Sequence, residues 1–165
     1  MLERGKMASE NDCDISEKLE ILPLDTALDM GKYCTCFNLR KAARRVTSVY
    51  DAALKPSGLK ATQVALLTAI RVLEPVTMKR LARAVVMDRT TLSRNVSLLN
   101  KKAMIDVEQG DDLRTRRLSL TRQGHAALLA AFPLWKKAQG AISVKLGTDR
   151  WTSLLKGISD LVAIT

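Results

Sequence analysis

Thr90, Arg94, Ser97 and Lys101 follow one another at spacings of 4, 3 and 4 residues. On an α-helix they share one face. Leu92, Val96 and Leu99 fall within about 60° of one another on the opposite side. One face is therefore oily and the other carries short hydroxyls and long cations. That is the chemistry a DNA major groove accepts: Arg donates to guanine edges or phosphates, and Thr or Ser fits close to the backbone. Arg89, Thr90, Thr91, Arg94, Asn95 and Ser97 are the candidate contacts of this helix. Just beyond it, Arg114, Arg116 and Arg117 cluster in a segment with Asp111 and Asp112. A hairpin tipped by arginines suits a minor groove, and Asp112 is placed to orient the Arg114 guanidinium by a bidentate pair. The same features also fit an amphipathic surface helix with a solvated cationic face and a charged, soluble turn.

A second set of reactive side chains is Cys34 and Cys36. Two residues apart, they lack zinc-site spacing and have no second Cys/His pair. On one helix they would point about 200° apart, so a disulfide between them requires unwinding. Either both are small buried apolar residues or one is a reactive thiol. No nucleophile–base pair, phosphate loop or metal set is visible, so neither enzyme, cofactor nor metal is expected.

The elements that must position these residues can be read from the pattern. Residues 1–29 carry 3 basic and 8 acidic groups and no clear period, which predicts a mobile acidic arm with at most a short helical turn. A long helix is expected from Met30 to Leu54, with Phe37, Ala42, Val46, Val49 and Ala53 as its stripe. Pro56-Ser57-Gly58 ends it. A second helix spans about Ala61 to Leu73. Thr77 caps a short third helix to about Ala84, and Asp88 caps the Arg89–Lys102 helix. Ile105 and Val107 alternate and should face Leu118 and Leu120 on a returning strand. Thr121 caps a long helix, interrupted or bent at Pro133 and ended near Gly147, and Thr148 caps the last. The order is α-α-α-α-β-β-α-α: mainly α, a winged helix-turn-helix. Residues 30–165 read as a single domain, with a DNA-binding lobe at about 60–123.

Bulk composition agrees. The 165 residues are 47% hydrophobic but only 4% aromatic, and the formal net charge is +10. Residues 78–122 alone carry 11 basic and 5 acidic groups. A basic body behind an acidic arm suits a polyanion. No run approaches the ~20 apolar residues a membrane span needs, and no signal core is seen, so a cytoplasmic location is expected.

Several stretches together resemble the multiple antibiotic resistance regulator (MarR) family. They are Leu81-Ala82, the run Met87 to Val96, Asp112-Leu113-Arg114, and Leu118-Ser119-Leu120-Thr121 with Gly124. Weaker matches are Gly58-Leu59 with Gln63 and Leu66-Leu67, and Pro133-Leu134-Trp135 with Ala138-Gln139. The likeness covers about residues 30–163. It implies a triangular homodimer with a helical dimerisation region, its dimerisation helices at about 30–54 and 124–164, that binds double-stranded DNA at a pseudo-palindromic operator, often represses, and lets go on ligand binding or oxidation. Thr90, Thr91, Arg94 and Asn95 would lie in or beside the major groove. Arg114, held by Asp112, would enter the minor groove. Cys36-Phe37 resembles the family's organic-hydroperoxide-sensing branch, with Tyr50 as the tyrosine that holds its thiol, although Arg40 stands where that branch has a second tyrosine. The family's effector cavity lies between the dimer helices and the DNA lobe, and a small aromatic or anionic ligand would suit a basic chain. Trp135 and Trp151 read as dimer-core anchors and His125 as structural or solvated. Two departures stand out: Ala103 occupies a position where Gly is common and positive φ is needed, and Lys60 replaces the hydroxyl residue that usually caps the second helix. Two rival classes remain open, a sequence-indifferent architectural DNA binder and a winged-helix module for protein contacts.

Overall fold

The computed structural model describes residues 21–109 and 115–164. Most of the expected acidic arm, and the wing-tip residues Asp111, Asp112 and Arg114, lie outside the described residues. The chain divides into two compact units, Met1–Arg40 and Lys41–Thr165.

In the first unit the helical region starts earlier than expected and is broken. Helix α1 spans Leu24–Tyr33 and α2 starts at Thr35, so the single helix expected from Met30 is two. The break falls on Cys34, whose backbone is extended at φ −66°, ψ 109°. Polar groups close the joint. The Phe37 amide donates to Cys34 Sγ at 3.4 Å, in the manner of an N-cap, and Asn38 Nδ2 donates to the carbonyls of Lys32 and Cys34 at 3.0 Å each. Free carbonyls at the end of α1 thereby gain a donor.

In the second unit, α2 continues to Leu54 and a 3₁₀ turn, Lys55–Ser57, leads to Gly58 at φ 70°. Helix α3 (Ala61–Leu73) buries Val64, Leu66, Leu67 and Ile70. Its missing hydroxyl cap is made good from elsewhere. The Ala61 amide donates to Asp51 Oδ1 of α2 at 2.7 Å, and the Lys60 amide donates to Gln63 Oε1 at 3.1 Å. Strand β1 (Val76–Thr77) precedes α4 (Met78–Ala84) and α5 (Arg89–Lys101), and β2 (Ile105–Gln109) and β3 (Arg116–Leu120) form the wing. The three antiparallel strands lie in the order β1-β3-β2. Ile105 pairs with Leu120 and Val107 with Leu118, the register that the alternation called for. Strand β1, too short to show alternation, was not expected. Beyond its two residues the Leu120 amide is satisfied by the Glu74 carboxylate at 2.8 Å. Helix α6 (Arg122–Leu146) runs through Pro133, so of the interruption or bend expected there the interruption does not occur. Pro133, having no N–H, forfeits one bond to the carbonyl of Leu129. Gly147, rather than Thr148, is the N-cap of α7 (Thr148–Val162). Among the described residues no helix is long and apolar enough to cross a membrane.

Three caps read from the sequence are present. Thr77 Oγ1 accepts from the Arg80 amide, Asp88 Oδ1 from Thr91 at 2.9 Å, and Thr121 Oγ1 from Gly124 at 2.9 Å. Both reading-lobe helices end in Schellman turns. In α4 the Met87 amide reaches Ala82 O, and in α5 the Met104 amide reaches Leu99 O. The left-handed residue of each turn is not Gly: Val86 has φ 49° and Ala103 φ 51°. Ala103 thus adopts the positive φ expected of its position. Each such residue costs about 1–2 kcal/mol relative to a right-handed conformation.

The turn at Ala103–Met104 is also where α6 docks. Thr121 Oγ1 donates to Ala103 O at 2.7 Å and the Thr121 amide to Met104 O at 3.2 Å. A Cβ on Gly124 would stand 1.9 Å from Met104 O, a backbone atom that no rotamer change can move. Gly124→Ala is therefore expected to lower stability by about 2–3 kcal/mol, at the upper end of overpacking costs. Urea denaturation checks this, and an unshifted midpoint would show that the junction yields.

The Asp88 carboxyl is held below its ordinary value of 3.8, first by the backbone hydrogen bond from Thr91. A depressed folded value means that the cap's contribution is complete above the unfolded pKa and is lost as pH falls through the lower folded one. The stability difference between the wild type and Asp88→Asn should thus be constant near neutrality and change only in acid, below about pH 4. Paired melts at stepped pH test this, and a change centred near pH 6–7 would assign it to another group.

Candidate nucleic-acid interface

The α5 helix is amphipathic in the sense the spacing required. Leu92, Val96 and Leu99 are buried, whereas Arg89, Thr90, Thr91, Arg94, Ser97 and Lys101 are exposed. The oily face joins a core with Leu66, Leu67, Ile70, Leu81, Ile105 and Leu118, all essentially without solvent exposure. Burial of that face leaves the hydroxyl-and-arginine face outward. Asn95 is half-buried and its Nδ2 donates to the Thr91 carbonyl at 2.9 Å, so its side chain is tied to its own helix.

Helix α4 packs against α5 and adds residues that the spacing argument passed over. Lys79, Arg80 and Arg83 are exposed around a buried Leu81. The signal was present in the sequence, since Leu81 with the partly buried Met78 and Ala82 turns to the core and leaves the cations outside. The first turns of α4, α5 and α6 contain no acidic residue, although Lys79, Arg80, Arg89 and Arg122 stand at or near them. Cations beside a helix N-terminus oppose its partial positive charge. At α4 and α6, capped by the neutral Thr77 and Thr121, amides and cations favour an anion such as phosphate, whereas at α5 the Asp88 carboxylate already accepts from the Thr91 amide.

Arg116 and Arg117 do not stand in the hairpin tip where the sequence reading put them. They open β3, because the ladder extends to the pair Gln109–Arg116, and neighbouring residues on a strand face opposite ways. Arg116 is exposed, while Arg117 is half-buried opposite Glu108 on one side and Thr77 on the other.

Cys34 and Cys36 are free and exposed, which removes the reading of both as buried packing residues within the chain. They also do not share one continuous helix, since Cys34 occupies the break. Tyr50 donates its hydroxyl to Gln139 Oε1 of α6, and burial pushes its pKa up, so it stays a neutral donor. His125 is half-exposed, with Nε2 4.0 Å from Glu74 Oε1.

Behind the reading lobe lies a cavity of about 860 Å³. Val64, Ala65, Thr68, Ala69 and Val72 of α3 form one wall, and Leu128, Phe132 and Trp135 of α6 form another. Ala84, the last residue of α4, reaches its edge, as does Tyr50. The Phe132 and Trp135 rings stack with centroids 6.2 Å apart and planes at 17°. Trp135, read from the sequence as a dimer anchor, lines this cavity in the single chain.

Comparison with known proteins agrees with this geometry. Residues 57–117 match the MarR family. The crystal structure of the transcriptional regulator MosR from M. tuberculosis in complex with DNA is similar at 37% identity and a TM-score of 0.72, covering 79% of this chain and 94% of that one. A probable transcriptional regulator from Pseudomonas aeruginosa is 25% identical with a TM-score of 0.69, over 76% of this chain and 94% of that one. An uncharacterized HTH-type transcriptional regulator of Bacillus cereus is 38% identical over 80 residues, 48% of this chain, and the match spans about half of that protein's length, 53%. With an outward cationic helix on a winged core, and likeness to MosR over nearly the whole of that chain, this protein belongs to the MarR family and is a winged helix-turn-helix, DNA-binding transcription regulator.

Proposed function

We propose that this regulator acts as a homodimeric repressor on a pseudo-palindromic operator and is released by a small-molecule effector or by thiol oxidation. The observation that carries the reading is the outward face of α5, with Thr90, Arg94 and Ser97 exposed above a fully buried Leu92. In this reading Arg89, Thr90, Thr91, Arg94, Asn95 and Ser97 serve the major groove. Arg114 serves the minor groove with Asp112 orienting it, and Arg116 and Arg117 meet phosphates. Lys79, Arg80 and Arg83 add phosphate contacts from α4. Dimerisation is supported by apolar side chains that the single chain leaves open. Helices α1 and α7 bury no residue, and Leu154, Leu155, Ile158 and Leu161 of α7 are 38–48% exposed. A large apolar surface of this kind calls for a partner, and a second copy satisfies it symmetrically.

Arg94→Ala should weaken operator binding about 10–100-fold, as expected for loss of a base-edge contact, with the dimer unchanged in sedimentation. Arg80→Ala should weaken specific and random duplex alike and make the slope of log K against log salt shallower by about one. Unchanged affinity in both variants would remove this surface from DNA binding. Equal affinity of the wild type for operator and random duplex would favour an architectural binder, and feeble binding even at low salt would favour a protein-contact module.

A thiol route to release is supported by the exposure of Cys36 beside the α1–α2 joint. A Cys36 thiolate attacks the peroxide O–O bond, sulfur becomes sulfenic acid, and an alcohol or water leaves. Hydroperoxide should then dissociate the operator complex of the wild type and leave that of Cys36→Ser intact. A serine variant that responds equally well would clear Cys36 of this role.

A further inference from the structure

Given the regulator reading above, on which this rests, we propose that the cleft between α5 and the wing seats one phosphate of the DNA backbone, held by Arg116 and Asn100. A helix in the major groove and a hairpin in the adjoining minor groove stand on either side of one sugar-phosphate strand. That strand has to pass between the two elements, and an open cleft of about 490 Å³ lies there. Asn100 of α5 lines it from one side, and Val107, Gln109 and Arg116 of the wing line it from the other.

The ladder selects which wing cation the strand meets. Arg116, Leu118 and Leu120 alternate along β3 and share one face. Both leucines are buried in the core that Leu99 of α5 also joins, so this face is turned towards α5. Arg116 stands on it at the outer end of the ladder, opposite Gln109, and is exposed. Arg117 is on the other face, opposite Glu108, so any phosphate it meets is a different one. Glu108 also borders the cleft, but its place in the register is with Arg117 and not with Arg116. Asn100 is exposed on the last turn of α5, about 60° round the helix from Ser97. Its carbonyl accepts from the Ala103 amide at 2.8 Å, which fixes its backbone where the chain turns towards the wing. A guanidinium fork and a carboxamide therefore border one gap from two elements. Arg binds phosphate oxygens in bidentate fashion, and Asn donates to them. Such a contact carries no base information; it sets the spacing of the reading helix and the wing on the duplex.

The test uses the full chain and an operator duplex selected with it from a random-sequence pool. Phosphates of that duplex are replaced one at a time by neutral methylphosphonate. In the wild type, one replacement per half-site, between the bases protected in the major groove and those protected in the minor groove, should weaken binding about 5–20-fold, the size of one charge-assisted contact. The same replacement should cost Arg116→Ala nothing further and should cost Asn100→Ala less than the wild type. Arg116→Lys, which keeps the charge without the fork, should fall between Arg116→Ala and the wild type. Arg117→Ala should stay as sensitive to that replacement as the wild type. Each variant is compared with itself on modified and unmodified duplex, so a general loss of stability cancels. The proposal is overturned if Arg116 and Asn100 couple to different phosphates, if either couples to none, or if Arg117→Ala erases the effect as Arg116→Ala does. Failure of the regulator reading shows separately, as a pool from which no preferred duplex emerges.

Discussion

The contact between the start of α6 and the turn after α5 governs most of what this protein can do. At Ala103–Met104 the chain leaves the reading helix, enters the wing and receives the first turn of α6, all within a few ångströms. Thr121 serves both sides. Its hydroxyl caps α6 through the Gly124 amide and donates to the Ala103 carbonyl. Gly124 is needed because the Met104 carbonyl occupies the space a side chain would take. The hydrogen bonds are individually worth about 1 kcal/mol. Their importance is geometric, since they fix α5 relative to the wing on one side and to α6 on the other.

Much of the reading lobe was legible in the sequence because its elements are specified locally. The Leu92, Val96 and Leu99 stripe decides which way α5 faces, and the opposite residues follow without knowledge of the partner elements. Thr77, Asp88 and Thr121 cap helices that begin within three residues of them. Ala103 could be marked as a left-handed position from the family pattern. What escaped was set by contacts distant in the chain, or by elements too short to carry a period. Asp51 caps α3 from ten residues away, Glu74 serves Leu120 from forty-six, and β1 has only two residues. Helix α1 lacks a capping side chain at Pro23, and its break at Cys34 rests on a sulfur and an asparagine whose usual helical propensities give no hint of it.

Charge illustrates the difference between composition and placement. A net of +10 suits a polyanion and suggested that a small aromatic or anionic effector would suit the chain as well. The structure separates two environments. Cations crowd the exposed sides of α4 and α5, and the cavity behind them is lined by hydrocarbon. Composition reports the sum, whereas a ligand meets only the charges within a Debye length or in direct contact.

Two energetic costs meet in the helix-turn-helix. Lys79 and Arg80 stand in the first turn of α4, whose cap is the neutral Thr77, against the helix dipole, whereas at α5 the Asp88 carboxylate already offsets Arg89. Val86, β-branched and 74% exposed, holds φ 49° in the turn between those helices. Such a residue at positive φ is uncommon and costs stability. Neither feature improves the folded chain by itself. The electrostatic cost is relieved when phosphates approach and counterions leave the duplex, so it returns as affinity and as salt dependence. The backbone cost is offset by two Schellman hydrogen bonds, from the Met87 amide to Ala82 O and from the Val86 amide to Arg83 O, and the Ala103 turn carries the same kind of cost.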